Sequence, residues 1–386
     1  MGFEEATPIQ EKAIPVILDE RDLIACAQTG TGKTAAFLLP ILQKIHQKEH
    51  GDGTINTLII APTRELAVQI DNQIQGLGYF LGVSSLAVYG GGDGSSWDVQ
   101  KKALIKGADV IVATPGRMIA HINQEYVDLS KVEHFVLDEA DRMLDMGFYD
   151  DIKKIMNCLP VKRQNLMFSA TMPPKIRKLA GEVLNDPDEI NIAISKPAER
   201  IMQAAFMAHD HQKTGLLSHL LKAKKLTSVI IFTSRKSSVD NLIREFKKEG
   251  IIASGIHSGL EQHERERVLR DFTNREINII VATDVLSRGI DIEGIDMVVN
   301  YDVPQDAEDY VHRIGRTARA SSDGVAFTFI NEDDIHRFHR IEKLIETEIR
   351  KVKIPGYLGE GPEYNTNARP KRSFRKSNRS RNFKSR

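Results

Sequence analysis

Ala27-Gln28-Thr29-Gly30-Thr31-Gly32-Lys33-Thr34 lies between the apolar run Leu23-Ile24-Ala25-Cys26 and the helix-patterned Ala35-Ala36-Phe37-Leu38-Leu39. The order is strand, glycine-containing loop, helix. A polyphosphate needs several backbone N–H groups turned inward at a helix N-terminus. Glycines allow that close turn, a lysine neutralises the β- and γ-phosphates, and a threonine hydroxyl ligates Mg²⁺. The stretch reads as a nucleoside-triphosphate site. The strict G-x-x-x-x-G-K-[ST] pattern asks for glycine at position 27, where this chain has Ala27, and the octapeptide alone also suits a tight turn before an ordinary core helix.

A second stretch separates these readings. Val132-Glu133-His134-Phe135-Val136-Leu137 is strand-like and runs into Asp138-Glu139-Ala140-Asp141. Acids leaving the C-terminal end of a strand stand where open parallel sheets bind ligands. Asp138 is placed to hold Mg²⁺ and Glu139 to orient or deprotonate an attacking water, as phosphoryl transfer to water requires. Four such residues alone would more often start a solvated helix. Lying 105 positions after Lys33, they fit the phosphate loop.

At 386 residues, 41% hydrophobic and 27% charged, the chain has room for two or three domains and excludes fibrous and disordered classes. Its two cysteines, Cys26 and Cys158, have no metal-ligand spacing, and its apolar runs are strand-sized, so secretion and membrane insertion have no support and a reducing cytoplasm is expected. The net charge of zero conceals an asymmetry. Residues 369–386 hold nine Lys/Arg and no acid, leaving 44 basic against 53 acidic residues elsewhere. A basic arm on an acidic body suggests polyanion binding.

Strand-like runs recur at Thr57–Ala61, Val83–Tyr89, Asp109–Ala113, Phe135–Leu137 and Asn165–Ser169, separated by helix-length segments such as Glu65–Leu77 and Trp97–Ile105. This alternation predicts an α/β fold with a parallel sheet covered on both faces. Pro62-Thr63-Arg64-Glu65, Gly90-Gly91-Gly92, Thr114-Pro115-Gly116-Arg117 and Ser169-Ala170-Thr171 follow strand ends and put backbone glycines, hydroxyls and two arginines along one rim, suited to gripping a sugar-phosphate backbone. Asn185–Arg200 reads as a boundary. A second series follows, with strands at Ser228–Thr233, Ile251–Ile256, Ile277–Ala282, Asp296–Asn300 and Val325–Ile330 and helices at Ser238–Lys248 and Glu261–Thr273. This half has no phosphate loop of its own. Arg313, Arg316 and Arg319, three apart, would share one helix face, either as a solvated basic face or as arginine fingers reaching a γ-phosphate across a cleft. Near the start, Gln10 is a candidate purine reader, since an amide both donates and accepts; a turn-capping glutamine would look the same.

These residues resemble the DEAD-box RNA helicases, whose name Asp138-Glu139-Ala140-Asp141 spells. The resemblance runs from Gly2 to about Ile330. It rests on ordered motifs: Gly2-Phe3 with Thr7-Pro8-Ile9-Gln10, the phosphate loop (which in that family usually begins with alanine), Pro62 to Ala67, Gly90-Gly91, Thr114 to Arg117, Ser169 to Thr171, Phe232, Gln262 with Arg265, Thr283 to Asp291, and His312 to Arg319. It implies two tandem RecA-like parallel-sheet domains and a disordered basic tail: an ATP-binding domain at 1–194, a linker at 195–200, a second domain at 201–350 and an RNA-binding tail at 351–386.

It also implies an ATP-dependent RNA helicase using ATP and Mg²⁺. Carried over by position, Phe3, Gln10, Gln28, Thr29, Gly30, Thr31, Gly32, Lys33, Thr34, Asp138, Gly289, Asp291, Arg316 and Arg319 meet ATP, with Thr34 and Asp138 at the metal. Glu139, Lys33, Arg316 and Arg319 do catalysis, and Ser169, Ala170 and Thr171 couple it to RNA separation. Pro62, Thr63, Arg64, Gly90, Gly91, Thr114, Pro115, Gly116, Arg117, Arg235, Gly259, Gln262, Thr283 and Arg288 line the RNA path. Expected partners are single-stranded and duplex RNA gripped with little sequence preference, in the setting of ribosomal precursor RNA or an RNA-decay complex, by a monomeric cytoplasmic core without membrane contact. An RNA clamp that does not unwind would share all these motifs; a DNA translocase would share the phosphate loop and the acids. Two departures stand out. The family carries an aromatic about seventeen positions before the adenine-reading glutamine, yet only nine residues precede Gln10, so a misplaced start or a truncated chain is expected. Ala318 and Ala320 stand where the family often has glycine.

Overall fold

Short β-branched runs punctuated by proline, glycine and threonine fold as strands because both of their faces find helices to cover them. The computed structural model describes residues 5–27, 31–47, 53–91, 94–192, 201–223, 227–284, 295–317 and 324–366. In the first half β1 Leu23–Cys26, β2 Thr57–Ile60, β3 Ser85–Val88, β4 Val110–Ala113, β5 His134–Leu137, β6 Gln164–Ser169 and β7 Asp188–Asn191 form a parallel sheet of order β3-β4-β2-β5-β6-β1-β7. In the second, β8 Ile201–Met207, β9 Val229–Phe232, β10 Ser254–Ile256, β11 Ile279–Ala282, β12 Met297–Asn300, β13 Gly324–Ile330 and β14 Arg350–Val352 form another, of order β10-β11-β9-β12-β13-β8-β14. Raising each label of the first order by seven reproduces the second. The chain is one α/β topology built twice, the tandem RecA-like arrangement expected.

Period-two alternation sorts the core into layers. Leu23, Ala25, Ile59 and Val136 face one layer of helices, while Ile24, Leu58, Ile60, Phe135 and Leu137 face the other. Helices begin where caps are available. Pro8 and Pro115 occupy the first helical positions after Thr7 and Thr114. The Thr63 hydroxyl accepts from Leu66 N at 3.3 Å at the head of the helix Arg64–Gly78.

The sheet order decides where the chemistry falls. β5, β6 and β1 are neighbours, with Leu137 opposite Met167 and Cys26 opposite Ser169. The phosphate loop, the acids at 138–141 and Ser169-Ala170-Thr171 therefore leave one edge of the sheet side by side.

Two expectations need correction. The stretch at 185–200 is not boundary throughout, because Asp188–Asn191 pairs with β1; only Ile190 of these four residues is buried, which hides an edge strand in a polar sequence. The stretch expected as tail from residue 351 is structured in its first part. β14 adds Arg350–Val352 to β8, Gln212 Nε2 donates to the carbonyls of Leu358 and Glu360 at 2.8 and 3.0 Å, and the Tyr364 hydroxyl donates to Glu342 at 2.6 Å. Residues 369–386 and the linker at 195–200 lie outside the described residues. Among the described residues no helix is long and apolar enough to cross a membrane.

Candidate active site

Ala27 leaves β1 with its N–H donating to the Ser169 carbonyl at 3.0 Å, which binds the loop's first residue to the strand beside it. The helix Lys33–Gln47 begins at the lysine. Lys33 is 7% exposed, and its Nζ donates to the Ala27 carbonyl at 2.6 Å, folding the ammonium back across the loop. A polyphosphate offers that ammonium a charged acceptor in place of a neutral carbonyl, a stronger bond of the same kind. Thr31, Gly32 and Thr34 are partly exposed at the helix start, where N–H groups face an anion. Gln28, Thr29 and Gly30 lie outside the described residues, as do Phe3, Arg288, Gly289, Asp291, Arg319 and the side chain of Gln262.

Gln10 is neither a surface cap nor a free amide. It is 5% exposed; its Oε1 accepts from Thr7 N at 2.9 Å, closing a capping box, and its Nε2 donates to the Gly32 carbonyl at 3.2 Å. Gly32 has φ +87°, and a Cβ there would lie 2.5 Å from Gln10 Nε2. Only glycine allows this approach, and it ties the glutamine to the phosphate loop.

Asp138 is 3% exposed, and burial pushes its carboxyl up to about 7, with Lys33 pulling the other way and Glu139 and Asp141 adding to the rise. A buried oxygen ligand so short of positive charge fits a hard divalent cation. Among the described residues no group of three or more His, Cys, Asp or Glu could hold a metal by itself. Mg²⁺ held by Asp138 and Thr34 would thus take its other ligands from water and phosphate, as this ion usually does.

Glu139 adopts a left-handed backbone, φ 51° and ψ 51°, unusual for a residue with a Cβ and a conformation that costs about 1–3 kcal/mol. Its N–H donates to Asp138 Oδ1 at 2.9 Å, its carbonyl accepts from Met143 N at 3.1 Å, and Arg142 Nη1 lies 3.3 Å from Oε2. The surrounding bonds hold the strained residue in place and orient its carboxylate.

Asp141 makes the link the sequence left unassigned. Its Oδ2 accepts from Ala170 N at 3.2 Å, Thr171 N at 3.0 Å and the Thr171 hydroxyl at 3.1 Å, while Ser169 Oγ donates to the Thr171 carbonyl at 2.7 Å. A single buried carboxylate thereby joins the acids at 138–141 to Ser169-Ala170-Thr171. A shift at one is a shift at the other.

The rim residues are brought together in part. Pro62, Thr63, Arg64, Gly90 and Thr114 from the first half line a cavity of about 560 Å³ with Ser258, Arg265 and Asp284 from the second. Arg64 lies 4.3 Å from the Tyr89 ring centre and pairs with Glu266 at 2.7 Å, so an anion reaching it competes with that carboxylate. Gly91 and Gly116 are exposed, Pro115 is buried at the head of the helix Pro115–Ile122, and Arg117 stands in the first turn of that helix. Thr283 N donates to the Ile256 carbonyl at 3.1 Å and Gly259 N to His257 Nδ1 at 3.1 Å, placing both at the ends of β11 and β10. Arg235 lines a different cavity, of about 470 Å³, with Lys213, Asp302 and Arg337.

Arg313 and Arg316 do not share a helix face. The helix Ala307–Ile314 stops at Gly315, so Arg316 lies beyond it, 6% exposed, with its carbonyl accepting from Ile295 N at 3.1 Å. Arg313 is fully buried. Its Nη2 pairs with Asp284 at 2.6 Å, its Nη1 donates to Asn300 Oδ1 and the Asp302 carbonyl at 3.0 Å each, and its guanidinium lies 5.2 Å from the Phe232 ring centre. It is an interior strut rather than a finger, for its fork is consumed inside the second half.

Known proteins are similar to this chain in sequence and fold. The DEAD/DEAH box helicase family matches residues 7–179 and the helicase conserved C-terminal domain matches 212–321. The chain is 46% identical to the ATP-dependent RNA helicase CshA of Listeria monocytogenes, over 92% of this chain and 67% of that protein. To the DEAD-box ATP-dependent RNA helicase CshA of Geobacillus kaustophilus it is 44% identical, over 92% and 75%. Among solved structures, S. cerevisiae Dbp5 bound to RNA and ADP BeF3 superposes with a TM-score of 0.82 at 32% identity, covering 91% of this chain and 90% of that one. The DEAD-box helicase Mss116 bound to ssRNA and UDP-BeF superposes with a TM-score of 0.82 at 30% identity, covering 93% and 77%. With two like sheets, a phosphate loop beside paired acids and relatives of this identity along nearly its whole length, the chain belongs to the DEAD-box family of ATP-dependent RNA helicases.

Proposed function

We propose that this chain hydrolyses ATP between its two halves and uses the cycle to separate short RNA duplexes, with Glu139 as the base toward water and Lys33 and Arg316 meeting the phosphates. Arg319, Asp291 and Gly289 join that site on the strength of the sequence. Mg²⁺ would supply charge neutralisation of the phosphates, held by Asp138 and Thr34. The observation supporting the reading is the Asp141 bridge, which ties the hydrolytic acids to Ser169-Ala170-Thr171 and gives hydrolysis a path to the strand-separating motif. Backbone gripping by Arg64, Arg117 and Gly91 carries no base code, so sequence preference is expected to be slight. Hydrolysis should be low alone, rise with RNA and stay low with DNA. Equal stimulation by DNA would point to a DNA translocase. Crosslinking in the cytoplasm, the compartment we propose, reads out whether ribosomal precursor RNA or an RNA-decay complex is the setting.

Coupling is testable at the bridge. Asp141→Ala leaves four donors without their acceptor, the three at Ala170 and Thr171 and Arg142 N, a change that costs about 1–3 kcal/mol when such groups stay buried. We expect duplexes separated per ATP hydrolysed to fall about tenfold, the equivalent of roughly 1.4 kcal/mol. An unchanged ratio would mean that the bridge only holds the fold.

The basic segment 369–386, with Phe374 and Phe383 among its nine Lys/Arg, is proposed as an RNA-holding arm. Deleting it should weaken RNA binding and flatten the salt dependence by about 0.7 in log–log slope for each phosphate no longer neutralised. The ATPase rate at saturating RNA should persist. Identical affinity and slope with and without the segment would end this assignment.

A further inference from the structure

Among the described rim arginines, Arg117 stands in a cradle of uncharged groups. Its Nε donates to Gln100 Oε1 at 2.8 Å, and its guanidinium carbon lies 4.2 Å from a ring centre of Trp97. Gln100, 4% exposed, is itself fixed, for its Nε2 donates to the Tyr89 carbonyl at 3.1 Å, which orients the amide with its oxygen toward Arg117. The same oxygen lies 3.1 Å from His121 Nε2. An acceptor there requires the Nε2–H tautomer, leaving Nδ1 to accept from the Tyr126 hydroxyl. Burial and the neighbouring Arg117 push His121 down to about 4, consistent with that neutral ring. Trp97 stacks on His121 with ring centres 4.0 Å apart and planes 16° from parallel. The network also touches the other first-half rim arginine, since Arg64 packs on the ring of the same Tyr89.

We propose that Trp97, Gln100 and His121 are positioning residues that hold the Arg117 guanidinium toward the RNA backbone, with Trp97 as the platform that sets its reach. This rests on the reading of Arg117 as an RNA contact. A guanidinium carries five donors in a planar fork. Packing its face on an indole and tying off Nε leaves the two terminal nitrogens to meet phosphate oxygens, as bidentate recognition requires. Holding that fork in advance lowers the entropic cost of engaging RNA. An arginine presented in this way raises RNA affinity more than it raises the turnover of the bound complex.

Trp97 is the only tryptophan in the chain, so it is also the probe. The test measures Kd for a fluorescent single-stranded RNA, and the RNA dependence of ATPase, in the full chain and in W97L, W97F, Q100L, R117A and W97L/R117A. W97L should weaken RNA binding about three- to thirty-fold, the range that cation–π contacts span from exposed to desolvated sites. It should raise the RNA concentration for half-maximal ATPase much more than it changes the rate at saturation. W97F should recover most of the loss, and Q100L should reproduce it if W97L fails to fold. In the R117A background W97L should add nothing, and the change in Trp97 fluorescence on adding RNA should shrink in R117A. An equal further loss in the double variant, or wild-type RNA affinity in W97L beside an impaired R117A, would overturn the cradle and leave Arg117 in place. Wild-type RNA affinity in R117A would overturn the reading of Arg117 itself, and the cradle with it.

Discussion

Glu139→Gln should lower the hydrolysis rate by about 10²–10⁴, the usual worth of a positioned general base, while the chain still binds ATP and RNA. Gln keeps the volume of the side chain and an oxygen to accept from Arg142 Nη1, so the salt bridge becomes a hydrogen bond and the strained turn at φ 51° keeps its supports. Asp138 and Lys33 are untouched, so the groups that meet metal and phosphate remain. The loss is confined to the step that removes a proton from water. Single-turnover hydrolysis beside equilibrium nucleotide binding checks this. Hydrolysis within a few-fold of wild type would remove Glu139 from the chemistry, and loss of nucleotide binding would make its role structural.

The second large effect is on stability. Arg313→Met should destabilise the second half by about 3 kcal/mol, because removing one partner of a buried pair strands the other, at a cost of roughly 3–5 kcal/mol. The low end applies, since Asp284 is 41% exposed and solvent reaches its carboxylate. Asn300 and the Asp302 carbonyl lose donors in the interior as well. Arg313→Lys should restore little, as an ammonium cannot serve three acceptors spread across a planar fork. Hydrogen exchange of β9, β12 and β13 measures the change directly. Wild-type protection of these strands in Arg313→Met would show that the buried pair contributes nothing net.

The same residue marks a limit of sequence reading. Spacing of three placed Arg313 with Arg316 on one helix face, but spacing cannot report where a helix stops, and Gly315 stops this one. The acids and the phosphate loop were legible because each pairs a strand pattern with a chemical group at its end. Their adjacency through β5, β6 and β1 follows from a sheet order that no local pattern encodes. The edge strand Asp188–Asn191 escaped because one buried side chain leaves no alternation to read, and β14 because Arg350-Lys351-Val352 has none either. Gln10 was legible as a purine reader or a turn cap, and the missing fact was Gly32, twenty-two positions away. Trp97, Gln100 and His121 gave no signal singly. They matter as one network, and networks of hydrogen bonds between elements are tertiary facts.

Displacement of a short labelled RNA duplex tests the central claim most directly, run with ATP on the wild-type chain, on Glu139→Gln, and against a DNA duplex of the same sequence. The account predicts ATP-dependent separation of the RNA duplex, none of the DNA duplex, and no repeated turnover by Glu139→Gln. ATP hydrolysis stimulated by RNA with no strand released, or equal release of DNA strands, would contradict it.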